Sequence, residues 1–335
     1  MKKPLILVFK IVCVSLIILF FYKTVNWNDI LSSLKGISIP LGIVALLVAI
    51  ADRIVVAYKW SILIKAYDIV NPWYAPYVSA FRGKVFMLFT PSSIGIDVYK
   101  TYYMKKFGGS LLSIVSSITV ERLVGALSSL AIIALLLYFS IKPMHPDLAI
   151  LSGYCGILGF LIICVITWSI TSHATQLTKV SIPGFIPLKS KEIFKKFING
   201  VTSISNKKSS VYYYFFISVI EKLFYGTAVY FAVRSLGIHD IPYTYLIAAT
   251  PLIAMAERLP VSFSSIGFRE GLFVALLYPY YQDISYSVSV ALVLRAVDMV
   301  IIGMSLLFWF TEEPSKWKQE ELQNIQREMQ GQTFS

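Results

Sequence analysis

Apolar residues run along this chain in stretches near or above the roughly 20 residues that cross a bilayer as a helix, with short polar or basic punctuation between them. Six stretches are uninterrupted: residues 5–22, 40–66, 111–140, 148–171, 211–236 and 285–311. Strict alternation of apolar and polar positions, the mark of an outer-membrane barrel, is missing. The pattern therefore predicts an all-α polytopic membrane protein. Pro40 opens the second span, Lys59 and Lys65 lie toward its end, and Lys10 sits where a long side chain snorkels to the interface.

Two further stretches, 77–106 and 246–281, are apolar enough to enter the bilayer, yet each is cut near its middle by proline, serine and glycine. The same tetrapeptide, Ser-Ser-Ile-Gly, stands at both cuts, Ser92 to Gly95 and Ser264 to Gly267, 172 residues apart. Pro91 and Pro260 precede the two glycines by four and seven residues, and Arg122 and Arg295 follow them by 27 and 28. Non-helical backbone at membrane depth is tolerated only against protein or a water-filled cavity, so both segments read as re-entrant helical hairpins. Paired breaks in two halves of a membrane protein point to a transporter-like site made of discontinuous helices.

Lysines set the orientation. Residues 172–210 carry Lys179, Lys189, Lys191, Lys195, Lys196, Lys207 and Lys208 against Glu192 alone, which places this loop in the cytoplasm. Counting outward puts both termini there as well, with the first hairpin entering from the cytoplasmic side and the second from the opposite side. The expected architecture is thus about six spanning helices plus two re-entrant hairpins in an inverted repeat. Its half-repeats cover about 40–140 and 211–311 of one membrane domain, residues 1–311, and are joined by 172–210. Within that joint, Leu188, Ile193, Phe194, Phe197, Ile198, Val201 and Ile204 recur at helical spacing between lysines, as in an amphipathic helix lying on an anionic leaflet. Residues 312–335 form a short polar tail of mixed charge, expected in the cytoplasm.

Composition agrees: 57% of residues are hydrophobic, 14% charged, and the mean hydropathy is +0.71. The net charge of +12 comes from residues beside apolar spans, without a motif that reads bases, so the anionic partner is lipid rather than nucleic acid. Cys13, Cys155 and Cys164 lie inside apolar stretches without metal-ligand spacing. His145, His173 and His239 are scattered in loops, with no metalloprotease or nucleotide-binding motif nearby. No catalytic residue, metal or cofactor is expected.

The candidate site is built from charges at the two breaks. Around the first stand Arg82, Lys84, Pro91, Ser92, Ser93, Gly95, Asp97 and Lys100, then Glu121 and Arg122 of the third span. Around the second stand Glu257, Arg258, Pro260, Ser264, Ser265, Gly267, Arg269 and Glu270, then Arg295 and Asp298, which are three apart and able to pair on one helix face. An ionisable residue at a helix centre costs roughly 2.5–3.5 kcal/mol on insertion, so such residues face a cavity or a partner. Backbone amides at the glycine breaks would cradle a phosphate. Arg122, Arg258, Arg269 and Arg295 would grip it, and Asp97, Glu121, Glu257, Glu270 and Asp298 would orient the arginines or bind a cationic head group. The serines cap half-helices or line the site rather than act as nucleophiles.

TPSSIGIDVYKTYYMKKFG followed by SITVERLVG, and then ERLPVSFSSIGFREG, resemble the two signatures of the lysylphosphatidylglycerol synthase transmembrane region family, over nearly the whole chain. Asp97 stands where glutamate is common in that family, and Ser92 and Ser93 where glycine or arginine is frequent. Members fused to a soluble transferase make aminoacylated phosphatidylglycerol, and their membrane region is held to move that lipid. The resemblance implies the translocating module without the synthetic one, and hence no lysyltransferase activity.

The expected function is a flippase in the cytoplasmic membrane for a phosphate-bearing lipid, either an aminoacyl phospholipid or a polyprenyl-linked one. The alternative is a membrane-embedded transferase, or a transferase subunit, in lipid or cell-envelope glycan synthesis. Expected partners are a membrane phospholipid or glycolipid, a separate lipid-modifying or glycosyl transferase, and a second copy of the chain.

Overall fold

A computed structural model describes residues 35–88, 90, 94–141, 203–257, 267–281 and 284–308, with 157 and 161 as isolated positions. Eight α-helices make up this part, and no strand occurs among the described residues. They are α1 (Ile39–Ala66), α2 (Ala75–Phe86), α3 (Ile94–Lys105), α4 (Leu111–Ile141), α5 (Lys208–Ser235), α6 (Tyr243–Ala256), α7 (Phe268–Tyr281) and α8 (Ile284–Leu307), with a 3-10 turn at Ser203–Lys207 before α5. Long, short, short, long is the order in both sets of four.

Helices α1, α4, α5 and α8 are long and apolar enough to cross a membrane and coincide with four of the six expected spans. The spans expected at 5–22 and 148–171 lie outside the described residues, apart from positions 157 and 161. So do the tail and most of the amphipathic stretch. Each interrupted stretch is a pair of short helices separated at its serine-glycine motif, α2 and α3 in one case and α6 and α7 in the other.

Helices α1 and α5 lie side by side and antiparallel. The Ser38 N–H donates to the Ser235 carbonyl at 2.8 Å, the Tyr58 and Tyr213 hydroxyls are 2.9 Å apart, and Lys207 meets Asp68 at 2.6 Å. At 28 residues each, they span about 42 Å, more than a hydrocarbon core of about 30 Å. Their ends are built alike. After α1, the Asp68 N–H returns to the Lys65 carbonyl and the Ile69 N–H to that of Ile64, with Asp68 left-handed at φ 53°. After α5, Gly237 takes that place at φ 77°, its N–H on the Arg234 carbonyl.

Each set of four has a core of its own. Trp60, Ile64, Tyr99, Tyr103, Met104 and Ile114 pack among α1 to α4, and Val229, Leu246, Phe273, Val290 and Leu294 among α5 to α8, joined there by Ala45 of α1. A third cluster, with Leu63, Val124 and Tyr214, joins α1, α4 and α5 and takes in Ile204 of the 3-10 turn. Packing also crosses over: α2 rests on α8, with Phe81 and Phe308 stacked at 5.1 Å, and α6 rests on α4. Ile43, Leu47, Ile54 and Tyr58 stay exposed along one side of α1, an apolar face suited to lipid.

Candidate functional site

The midpoint of α1 falls between Asp52 and Arg53, and that of α5 between Glu221 and Lys222. Antiparallel packing brings these two acid–base pairs to the same depth. Lys59 of α1 crosses to Glu221, Nζ to Oε2 at 3.0 Å, and Lys222 reaches the other oxygen, Oε1, at 3.0 Å. All three are nearly inaccessible.

Beside them opens a cavity of about 190 Å³. Arg53 and Lys59 line it from α1, Lys84 from α2, Asp97 and Lys100 from α3, and Glu121 and Arg122 from α4. The second set supplies Glu221, Lys222 and Tyr225 from α5, Glu257 just after α6, Arg269 from α7 and Asp298 from α8. All eight helices therefore contribute. Seven of the lining side chains are cationic and five are carboxylates, a formal surplus of two positive charges.

Salt bridges run between helices. Arg122 of α4 is held by Asp97 in the first turn of α3, with Nε to Oδ2 at 2.9 Å. Arg295 of α8 is held in the same manner by Glu270 in the first turn of α7, with Nε to Oε1 at 2.9 Å. A carboxylate at the start of a half-helix is favoured by the helix dipole, so each break both admits and fixes an acid that aims an arginine. Lys100 spans both oxygens of Glu121 at 3.1 and 3.0 Å and lies over the Trp60 ring at 4.4 Å. Asp298 receives Lys84 on one oxygen and Arg269 on the other, each at 2.5 Å, and Arg269 Nε is 3.1 Å from Glu257. The pairing expected within one turn, Arg295 with Asp298, thus gives way to bridges from other helices, because those place each cation between two packed elements.

At the breaks the two glycine amides find partners within the chain. The Gly95 N–H donates to Thr90 Oγ1 at 3.0 Å, and that hydroxyl donates to the Phe86 carbonyl. The Gly267 N–H donates to Glu270 Oε2 at 2.7 Å, a capping-box bond. Both glycine amides thus close their half-helices, while the amides of Ser92, Ser93, Ser264 and Ser265 lie outside the described residues. The glycines are required for other reasons: a Cβ on Gly95 would lie 2.6 Å from the Phe86 carbonyl oxygen, and Gly267 is left-handed at φ 78°. Arg82 also stands apart from the cavity. It is buried, donates to the Phe308 carbonyl at 2.8 Å and stacks over Tyr103, closing the end of α8. Arg295 lines a small adjoining recess that shares Lys84, Glu257, Arg269 and Asp298 with the cavity.

Among the expected site residues, the structure brings Lys84, Asp97, Lys100, Glu121, Arg122, Glu257, Arg269 and Asp298 to the cavity. Pro91, Ser92, Ser93, Arg258, Pro260, Ser264 and Ser265 lie outside the described residues. Reading the breaks alone missed Arg53, Lys59, Glu221, Lys222 and Tyr225. A signal existed: Asp52-Arg53 and Glu221-Lys222 are acid–base dipeptides inside apolar spans, 169 residues apart, the same spacing as Pro91 to Pro260 and Asp68 to Gly237. Among the described residues, no group of three or more His, Cys, Asp or Glu is arranged to hold a metal.

Helices long enough to span a bilayer, with a cavity lined by paired ions near the middle of α1 and α5, define an integral membrane protein. The profile of the family described as lysylphosphatidylglycerol synthase TM region matches residues 7–305, and the chain belongs to that family. No curated protein and no solved structure matches it.

Proposed function

We propose that the chain is a translocase for a phosphate-bearing lipid, whose head group enters the cavity while its tails remain in the bilayer. The observation that carries this reading is the surplus of two positive charges among the side chains lining a half-open cavity of about 190 Å³, which suits a phosphate and a small polar substituent. Arg122 and Arg269, already aimed by carboxylates, supply forked donors. An aminoacyl phospholipid and a polyprenyl-linked phosphate both present that group.

Alternating access follows if the two sets of helices are inverted repeats, each with a re-entrant hairpin. Three features support this: the recurring order of helix lengths, the antiparallel packing of the matching helices α1 and α5, and the crossed packing of α2 on α8 and α6 on α4. A two-fold axis in the membrane plane makes equivalent helices antiparallel, whereas an axis along the normal makes them parallel.

The test is transbilayer movement of fluorescent phospholipids in liposomes holding the purified chain. Arg122→Ala and Arg269→Ala are each expected to slow movement about tenfold or more, since a hydrogen bond to a charged group contributes about 1.5–3 kcal/mol. Unchanged movement in both variants overturns the proposal. Covalent change of the lipid, with no protein added, would point instead to a transferase.

A further inference from the structure

The cavity accounts for its lining ions but leaves Asp52 unexplained. This residue sits midway along α1, about 20 Å from either helix end, is 1% exposed and directly precedes the cavity-lining Arg53. Both Nε and Nη2 of Arg53 turn to one oxygen, Oδ2, the former at 2.8 Å. Oδ1 is buried and accepts no hydrogen bond among the described residues. Other acids of the site differ. Glu221 receives a lysine on each oxygen, Asp298 a cation on each, and Glu121 offers both of its oxygens to Lys100. Glu257 Oε1 lies 3.1 Å from Arg269 Nε.

An ionised carboxylate with one bare oxygen away from water is costly, and adding a proton removes that cost. The charges around Asp52 are Arg53 on its own helix and Glu221 and Lys222 on α5, with Lys59 bound to Glu221 through Oε2. Arg53 in turn feels Asp298 of α8 and Lys84 of α2, and Lys59 feels Glu121 of α4. Glu221 opposes a second negative charge beside it, while Arg53 and Lys222 favour one, so a change at Arg53 decides the balance.

We propose that Asp52 is a proton-binding site that controls Arg53, so that a proton and the head-group anion bind together. With Asp52 ionised, Arg53 is held against it. A hydronium ion gives its proton to the carboxylate and leaves as water, one O–H bond breaking as the carboxyl O–H forms; the ion pair loosens, and the guanidinium turns its charge to the anion. By reciprocity the anion raises proton affinity to the same degree. This inference rests on the cavity being an anion site. It would let a proton gradient drive the lipid.

The test is binding of glycerophosphoglycerol, a water-soluble phosphate diester whose single charge is constant between about pH 5 and 8, to the full chain in detergent by calorimetry. Wild type is expected to bind about tenfold more weakly for each pH unit above the titration of Asp52, and to take up about one proton per anion in weak buffer. Asp52→Asn should bind equally at every pH without proton uptake, and Asp52→Glu should restore the slope. Absent or pH-independent binding by wild type, or an undiminished slope in Asp52→Asn, overturns the proposal. Should the asparagine variant fail to fold, proton uptake by wild type decides. Lipid movement measured in parallel separates the two readings: movement without proton-linked binding removes only this one, and linked binding without movement removes only the translocase.

Discussion

Glu221 holds Lys59 and Lys222, both nearly inaccessible, at the wall of the cavity. Glu221→Gln keeps the shape and removes the charge, leaving two buried ammonium groups with a neutral amide. Breaking a buried pair in this way costs about 3–5 kcal/mol, and a lowered midpoint of thermal unfolding in detergent is the expected readout. The variant should unfold well below Lys207→Gln, whose exposed bridge to Asp68 contributes about 0–1 kcal/mol. Equal midpoints would mean that the central bridges are not structural. Charges at the breaks were legible in the sequence because proline and glycine mark them. Those at the centres of α1 and α5 were legible only through their common spacing of 169 residues, since one acid–base dipeptide by itself hardly disturbs an apolar run of that length. Only the meeting of the two midpoints shows that they share a site.

Helices approach most closely where glycine replaces a side chain. Gly226 of α5 faces α6, where a Cβ would lie 2.9 Å from the Ile247 backbone, so Gly226→Ala must push the helices apart. Overpacking of this kind costs about 1–3 kcal/mol, and thermal unfolding should show it. Gly303→Ala on α8 meets nothing within 4 Å and serves as the control, neutral or stabilising by about 0.5–1 kcal/mol. Equal effects would contradict the packing of α5 on α6. Pro251 in α6 cannot donate to the Ile247 carbonyl, and the Thr250 hydroxyl lies 3.5 Å from that oxygen, so the short helix passes through proline without a break. The interruptions fall instead at the serine-glycine motifs, as the sequence pattern indicates. What the pattern could not indicate is the partner of each first-turn carboxylate, because Asp97 and Glu270 find their arginines on other helices.

At the scale of the whole molecule, orientation is open to direct measurement. Asp68 is bound to Lys207 at the edge of the lysine-rich loop, whereas Gly237 and His239 follow the opposite end of the α1–α5 pair. In a background free of Cys13, Cys155 and Cys164, Asp68→Cys should react with a membrane-impermeant thiol reagent only in inside-out vesicles, and His239→Cys only in intact cells. Labelling of both from one side would remove the inverted arrangement. The sequence by itself determined that the chain enters a membrane as helices, where four of them lie, and where two stretches break. These are local matters, fixed by apolar length and by the backbone demands of proline and glycine. The tertiary structure decided which ions meet, which side chains accept from the two glycine amides, and that Asp52-Arg53 and Glu221-Lys222 belong beside the cavity. Those outcomes depend on residues far apart in the chain, and an ion at membrane depth is stabilised by whatever packing brings within about 3 Å of it.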